Sequence, residues 1–339
     1  MTVLAPIILL LLALAAFASR SGNELRDFNK EATIPLRGWL ALAVVVGHVD
    51  TAMGCPISFF RHFHWEASAV AVFFFMSGYG YTRSVTEKSA VYMKGFFRRT
   101  CWKLFLPFML CTLISLLLVG MPIDVSYIKY GEIPFLLHSW FVFELTIMSL
   151  IFVISYRITG SRVSCFFNCT LWGFTTIMYV LFRYILNWPQ WWYYSLGAFP
   201  FGVTFYMIEP LIRHKMRNSK KRYLGYGLAI LAWVISVFVA TMVSSDTPFL
   251  RDIPRMFLGA AIVLIFYIFH LKFGTFIGKI AYEIYLSHGI FEVLFLRMHL
   301  RPVLYVSCVL LCTLIFSWII NEFVAKINQI RCNCVVKKC

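Results

Sequence analysis

The chain has 339 residues, 60% of them hydrophobic and 14% charged, with a mean hydropathy of +0.78. Soluble domains average about 45–50% apolar and about 25% charged residues, so this composition excludes an ordinary soluble protein and indicates a polytopic membrane protein. The net charge of +16 would suggest nucleic acid in a soluble chain, but here the basic residues lie between apolar runs. Topology and anionic lipid account for them, and no nucleic-acid partner is expected.

Apolar runs predict eleven helices, at 3–19, 36–53, 66–84, 103–121, 136–157, 166–187, 191–211, 223–244, 254–271, 276–297 and 302–325. The run 3–19 resembles a signal peptide, but it lacks a basic n-region and its positive flank follows it. It is read as an uncleaved helix with its N-terminus outside. Most of the 31 basic residues fall in alternate gaps between the runs, and only Arg61, Lys129, Arg251, Arg255, Arg297 and Arg301 occupy the other gaps. By the positive-inside rule the C-terminus is cytoplasmic and Arg37 stands at the cytoplasmic face. The division expected is an added N-terminal helix within 1–25, a membrane domain over 26–325 and a short cytoplasmic tail over 326–339. Ten cysteines show no regular spacing, so no disulfide framework is expected. Cys332, Cys334 and Cys339 belong to a tail read as unstructured or S-acylated.

Candidate site residues come from polar groups inside apolar runs. Arg37 and His48 are eleven residues apart, which puts them on one helix face with His48 about 16 Å deeper. A titratable ring at membrane depth reads as a group lining a cavity, or else as one hydrogen-bonded to a neighbouring helix. Glu144, 13 residues before Arg157, and His288, nine residues after Lys279, reach a similar layer. Imidazole and carboxylate are the pair used in general-base chemistry, the acid fixing the ring's tautomer, although a structural bond between helices would use the same residues. Tyr282, Tyr285, His288 and Glu292 share one helical face, as a substrate passage or as packing. Ser77-Gly78 ends an apolar run and suits either a hydrogen bond to a ligand or close helix approach. Arg98, Arg99 and Lys103 lie beside the mouth that Arg37 marks, where they could grip cofactor phosphates or lipid headgroups. His62, His64 and Glu66 are too few to define a metal site, and no metal is expected.

These residues, in this order, resemble the acyltransferase-3 family of integral membrane proteins. The resemblance spans roughly 26 to 325. It is carried by Arg37 with His48, by Phe73-Phe74-Phe75-Met76-Ser77-Gly78-Tyr79, by the basic stretch from Arg98 to Lys103 and Pro107, by Trp140-Phe141, and by Tyr282-Glu283-Ile284-Tyr285-Leu286-Ser287-His288. Departures are the extra helix at 3–19 beside the family's usual ten, Arg99 and Lys103 in place of an Arg-x-x-Arg spacing, and Ala281 in place of a serine. The resemblance implies an all-α transmembrane bundle that moves an acyl group, by default acetyl, from cytoplasmic acyl-CoA to a hydroxyl of a cell-envelope polysaccharide or lipid-linked sugar, in the bacterial inner membrane. His48, Arg37 and Glu144 are the expected catalytic residues, with His48 as general base or as a covalent acyl carrier. Arg98, Arg99 and Lys103 are expected on the cofactor, and Ser77, Trp140, Tyr282, Tyr285 and His288 around the substrate. A homo-oligomer or envelope-assembly partners are compatible with this reading. The competing expectation is an exporter of a polysaccharide or lipid-linked sugar, which would have no use for coenzyme A. A scaffold subunit would leave His48 without a purpose.

Overall fold

The computed structural model describes residues 18–20, 28–53, 65–120, 136, 138–216, 227, 231, 253, 256, 257, 259–261, 269–271 and 274–336. Most of each of the predicted runs 3–19, 223–244 and 254–271, and the side chains of His62, His64, Glu66, Cys332, Cys334 and Cys339, lie outside the described residues. The described residues form an all-helical bundle apart from one short ribbon. In it Ala18–Arg20 (β1) pairs antiparallel with Phe269–Leu271 (β2), at the edges of two runs predicted as helices.

The helices are α1 (Lys30–Ala52), α2 (Trp65–Met93), α3 (Phe96–Val119), α4 (Trp140–Ile158), α5 (Cys165–Val180), α6 (Ala198–Met216), α7 (Thr275–Lys279), α8 (Ala281–Leu296) and α9 (Pro302–Val336). Among the described residues, five stretches are long and apolar enough to cross a membrane: Glu31–Ala52, Phe96–Val119, Trp140–Ile158, Cys165–Ile185 and Pro302–Ile330. The protein is therefore a membrane protein. α1 begins six residues before its predicted start because Asn29 caps it, its side chain accepting from the Ala32 N–H at 2.8 Å. The predicted run 276–297 is broken at Ile280 into α7 and α8. The run 191–211 is broken as well, into a 3-10 turn at Gln190–Trp192 and then α6. α9 continues to Val336, through the stretch read as an unstructured tail. The Trp102 indole N–H donates to Asn328 at 2.9 Å and ties that extension to the start of α3.

Two crossings depend on glycine. A Cβ on Gly78 of α2 would lie 2.1 Å from the Phe199 carbonyl oxygen, and one on Gly202 of α6 would lie 2.2 Å from that of Phe75. The α2–α6 backbones thus meet with no side chain between them, as small residues permit where no water drives helices together. Gly38 and Gly278 do the same where α1 meets α7. α8 packs against α1, α3 and α9, and its buried residues run from Ala281 to Phe291 with little interruption. A helix buried on nearly every side belongs in the centre of a bundle.

Candidate active site

Three imidazoles from separate parts of the chain meet at one level. The His48 ring stacks on the His138 ring with centroids 3.7 Å apart, and His288 lies 5.2 Å from the first and 5.1 Å from the second. His48 comes from the last turn and a half of α1, His138 from the turn that precedes α4, and His288 from the middle of α8. His138 holds a left-handed backbone (φ 61), an uncommon conformation for a non-glycine residue. The Tyr285 hydroxyl holds that turn by donating to the His138 carbonyl at 2.9 Å.

The tautomer of His288 follows from its partner. Its Nδ1 lies 2.7 Å from the Tyr285 carbonyl oxygen. A carbonyl only accepts, so Nδ1 carries the proton, and in the neutral ring Nε2 keeps its lone pair. His288 is fully buried, and its Nε2, the His138 Nε2 and the Glu292 Oε2 have no hydrogen-bond partner among the described residues. Glu292 Oε2 lies 3.6 Å from His138 Nε2. A buried acceptor left unsatisfied costs about 1–3 kcal/mol, so this cluster is built to receive a polar group. One nitrogen from each ring falls within 4.8 Å of the others, a grouping that could hold a metal ion. The rings overlap face to face, however, and ligation within the ring planes would require at least one of them to turn.

The site residues expected from sequence separate into groups. His48 and His288 come together. Arg37 is half-buried on α1, and its Nη2 donates to Thr33 Oγ1 at 3.0 Å, so the guanidinium reaches toward the start of the helix. It lies about 16 Å along the axis from His48. Glu144 is fully buried on α4, six residues beyond His138, and the carboxylate found against the imidazoles is Glu292. Tyr282 and Tyr285 spend their hydroxyls on the carbonyls of Leu104, at 2.7 Å, and His138, which staples α8 to its neighbours. The Ser77 hydroxyl donates to Phe73 O of its own helix at 2.8 Å. Trp140 is buried and meets Phe141 edge-on. Arg98, Arg99 and Lys103 are exposed at the start of α3, and Arg99 donates to the carbonyls of Lys94 and Tyr92.

His138 was missed by sequence reasoning. It lies in a turn, where no helical periodicity gives a side chain its face or depth. The predicted run 36–53 and the observed α1, which ends at Ala52, both place His48 about one turn from the helix end, at the level where the chain enters α4.

Residues 36–322 match the family model for the acyltransferase domain known as Acyl_transf_3. The chain belongs to the acyltransferase-3 family. Neither the comparison with curated proteins nor that with solved structures found a match. The matched stretch contains all three histidines, Glu292 and Arg37, so the imidazole cluster lies inside the domain that makes this protein a membrane acyltransferase.

Proposed function

We propose that this membrane acyltransferase moves an acyl group, acetyl by default, from acyl-CoA to a hydroxyl of an envelope polysaccharide or a lipid-linked sugar. The observation that carries the reading is the cluster of three imidazoles with one carboxylate, in which His138 Nε2, His288 Nε2 and Glu292 Oε2 have no hydrogen-bond partner among the described residues, inside a family domain for acyl transfer. The protein sits in the bacterial inner membrane with its N-terminus outside and its C-terminus in the cytoplasm, on the alternation of basic residues. The donor arrives at the end of the bundle where α1 begins, in the positive field to which Arg98, Arg99, Lys103 and Arg37 contribute. The acceptor arrives from the opposite end, close to His48.

His48 takes the proton from the acceptor hydroxyl as its oxygen attacks the thioester carbonyl carbon. The tetrahedral centre then collapses, the carbon–sulfur bond breaks, and the departing thiolate takes up the proton from the imidazolium. His288, its Nδ1 proton committed to Tyr285, presents Nε2 to the same space. His138 stacks on His48 with Glu292 behind it, so the carboxylate offsets the positive charge that arises on the cluster when the proton arrives. A covalent route, in which His48 itself carries the acyl group, uses the same residues.

The test is acetyl-CoA turnover by the purified protein in nanodiscs, with wild type beside His48→Ala and thiol release followed with and without a membrane-glycan extract. Release that requires both His48 and extract is the expected result. Undiminished release by folded His48→Ala would overturn the assignment of the base.

A further inference from the structure

A second polar site lies at the end of the bundle where α1 begins. It is a cavity of about 880 Å3 between the ends of α2, α4 and α6, within the size range of small-ligand sites. Three guanidiniums line it, from Arg83, Arg162 and Arg213, along with three phenol rings, from Tyr79, Tyr156 and Tyr206. Its place in the bundle is fixed by Arg83, whose Nη1 donates to the Phe28 carbonyl at 3.0 Å, just ahead of α1.

The charges in the cavity do not cancel. Glu87 accepts from Arg83 Nε at 2.6 Å. Glu209 accepts from the Tyr79 hydroxyl and faces Arg213 Nη1 at 3.7 Å. Each lining carboxylate is thus matched by a guanidinium, and Arg162 makes the sum positive. Arg162 is exposed and follows two residues with left-handed backbones, Gly160 (φ 75) and Ser161 (φ 59). The Ser161 N–H closes that turn on the Tyr156 carbonyl at 2.8 Å. The turn returns the chain across the end of α4, which is how an exposed loop residue comes to line the cavity. Tyr79 and Tyr206 meet edge to face with centroids 5.4 Å apart and give the wall flat apolar surface beside the cations.

Guanidinium forks fit phosphate oxygens, and phenol faces suit a planar heterocycle. From this pairing we infer that the cavity seats a nucleoside phosphate, namely the nucleotide end of the acyl donor. The inference rests on the acyl-CoA reading above and moves the donor's anchor away from Arg98, Arg99 and Lys103, none of which lines this cavity.

Binding of adenosine 3′,5′-bisphosphate to the full chain is measured by calorimetry in nanodiscs of zwitterionic lipid. Wild type is compared with Arg162→Ala, Arg162→Glu and Arg98→Ala. Arg162 sits in an exposed turn and its side chain makes no hydrogen bond among the described residues, so its variants should fold, and melting curves verify this. The expected result is saturable binding, weakened about tenfold by Arg162→Ala, further by Arg162→Glu, and by no more than about twofold by Arg98→Ala, which thins the surrounding positive field without touching the cavity. Binding that Arg98→Ala abolishes and Arg162→Glu leaves intact overturns the cavity and returns the nucleotide to the basic run. If the nucleotide does not bind, while vesicles of anionic phospholipid raise the melting temperature of wild type but not of Arg162→Glu, the cavity holds a lipid headgroup and the inference is wrong. Absence of nucleotide binding together with absence of acetyl-CoA turnover in folded wild type overturns the donor reading itself.

Discussion

Replacing Glu292 with Gln tests whether the carboxylate behind His138 serves the chemistry or only the fold. The substitution keeps the shape of the side chain and removes one charge 3.6 Å from His138 Nε2, where the two side chains are 12% and 21% exposed. The bond from the Tyr305 hydroxyl goes to the Glu292 backbone carbonyl and survives. At an effective dielectric near 20, a unit charge at that separation attracts a full positive charge by about 4–5 kcal/mol. The charge on the cluster is shared over stacked rings and partly screened by the exposed edge. Roughly half of that attraction should therefore appear in the transition state, about 2–3 kcal/mol, or a fall in turnover of about 30- to 150-fold. The assay is kcat and KM for acetyl-CoA in nanodiscs with saturating acceptor, beside a melting curve. The expected signature is a loss in kcat at nearly constant KM and nearly constant melting temperature. Turnover within a factor of about two of wild type, in a protein that melts normally, would refute the claim that this carboxylate offsets charge arising on the imidazoles.

Four further outcomes follow from the same geometry. His48→Ala should remove transfer while leaving the melting temperature within a few degrees, since the ring is only half-buried near a helix end; thiol release and a fluorescence melt check both. Tyr285→Phe strands the His138 carbonyl and should cost about 1–3 kcal/mol of stability, with turnover falling too because the His138 turn loosens. Tyr282→Phe strands the Leu104 carbonyl at similar cost with kcat unaltered, so equal kcat losses in the two variants would contradict the separation of roles. Gly78→Ala places a methyl 2.1 Å from the Phe199 carbonyl oxygen, backbone that cannot swing aside, and should destabilise by at least about 1–3 kcal/mol; an unchanged melting curve would show that α2 and α6 cross less closely.

The pattern of apolar runs was enough to show a helical membrane protein, because burial in lipid forces each spanning segment to satisfy its own backbone and leaves a long hydrophobic signature in the chain. Ordered motifs around Arg37, His48, Ser77-Gly78, Trp140 and Tyr282–His288 carried the family. The role of Gly78 was legible for the same reason, since close backbone approach needs a residue without a side chain. Where one helix meets another was not legible. His138 lies in a turn, with no helical periodicity to give its face or depth, and joins His48 only because the end of α1 packs at the level of that turn. Glu144 and Glu292 look alike in sequence as carboxylates within apolar helices, and only the placement of α8 beside α1 and the α4 turn puts Glu292 against the imidazoles. The cavity at the opposite end gathers its cations from three separate segments, and spacing along a chain cannot report distances between segments. Composition and periodicity fix what each segment is, because those depend on local contact with lipid. The site depends on contacts between segments far apart in the chain, and those exist only once the bundle has packed.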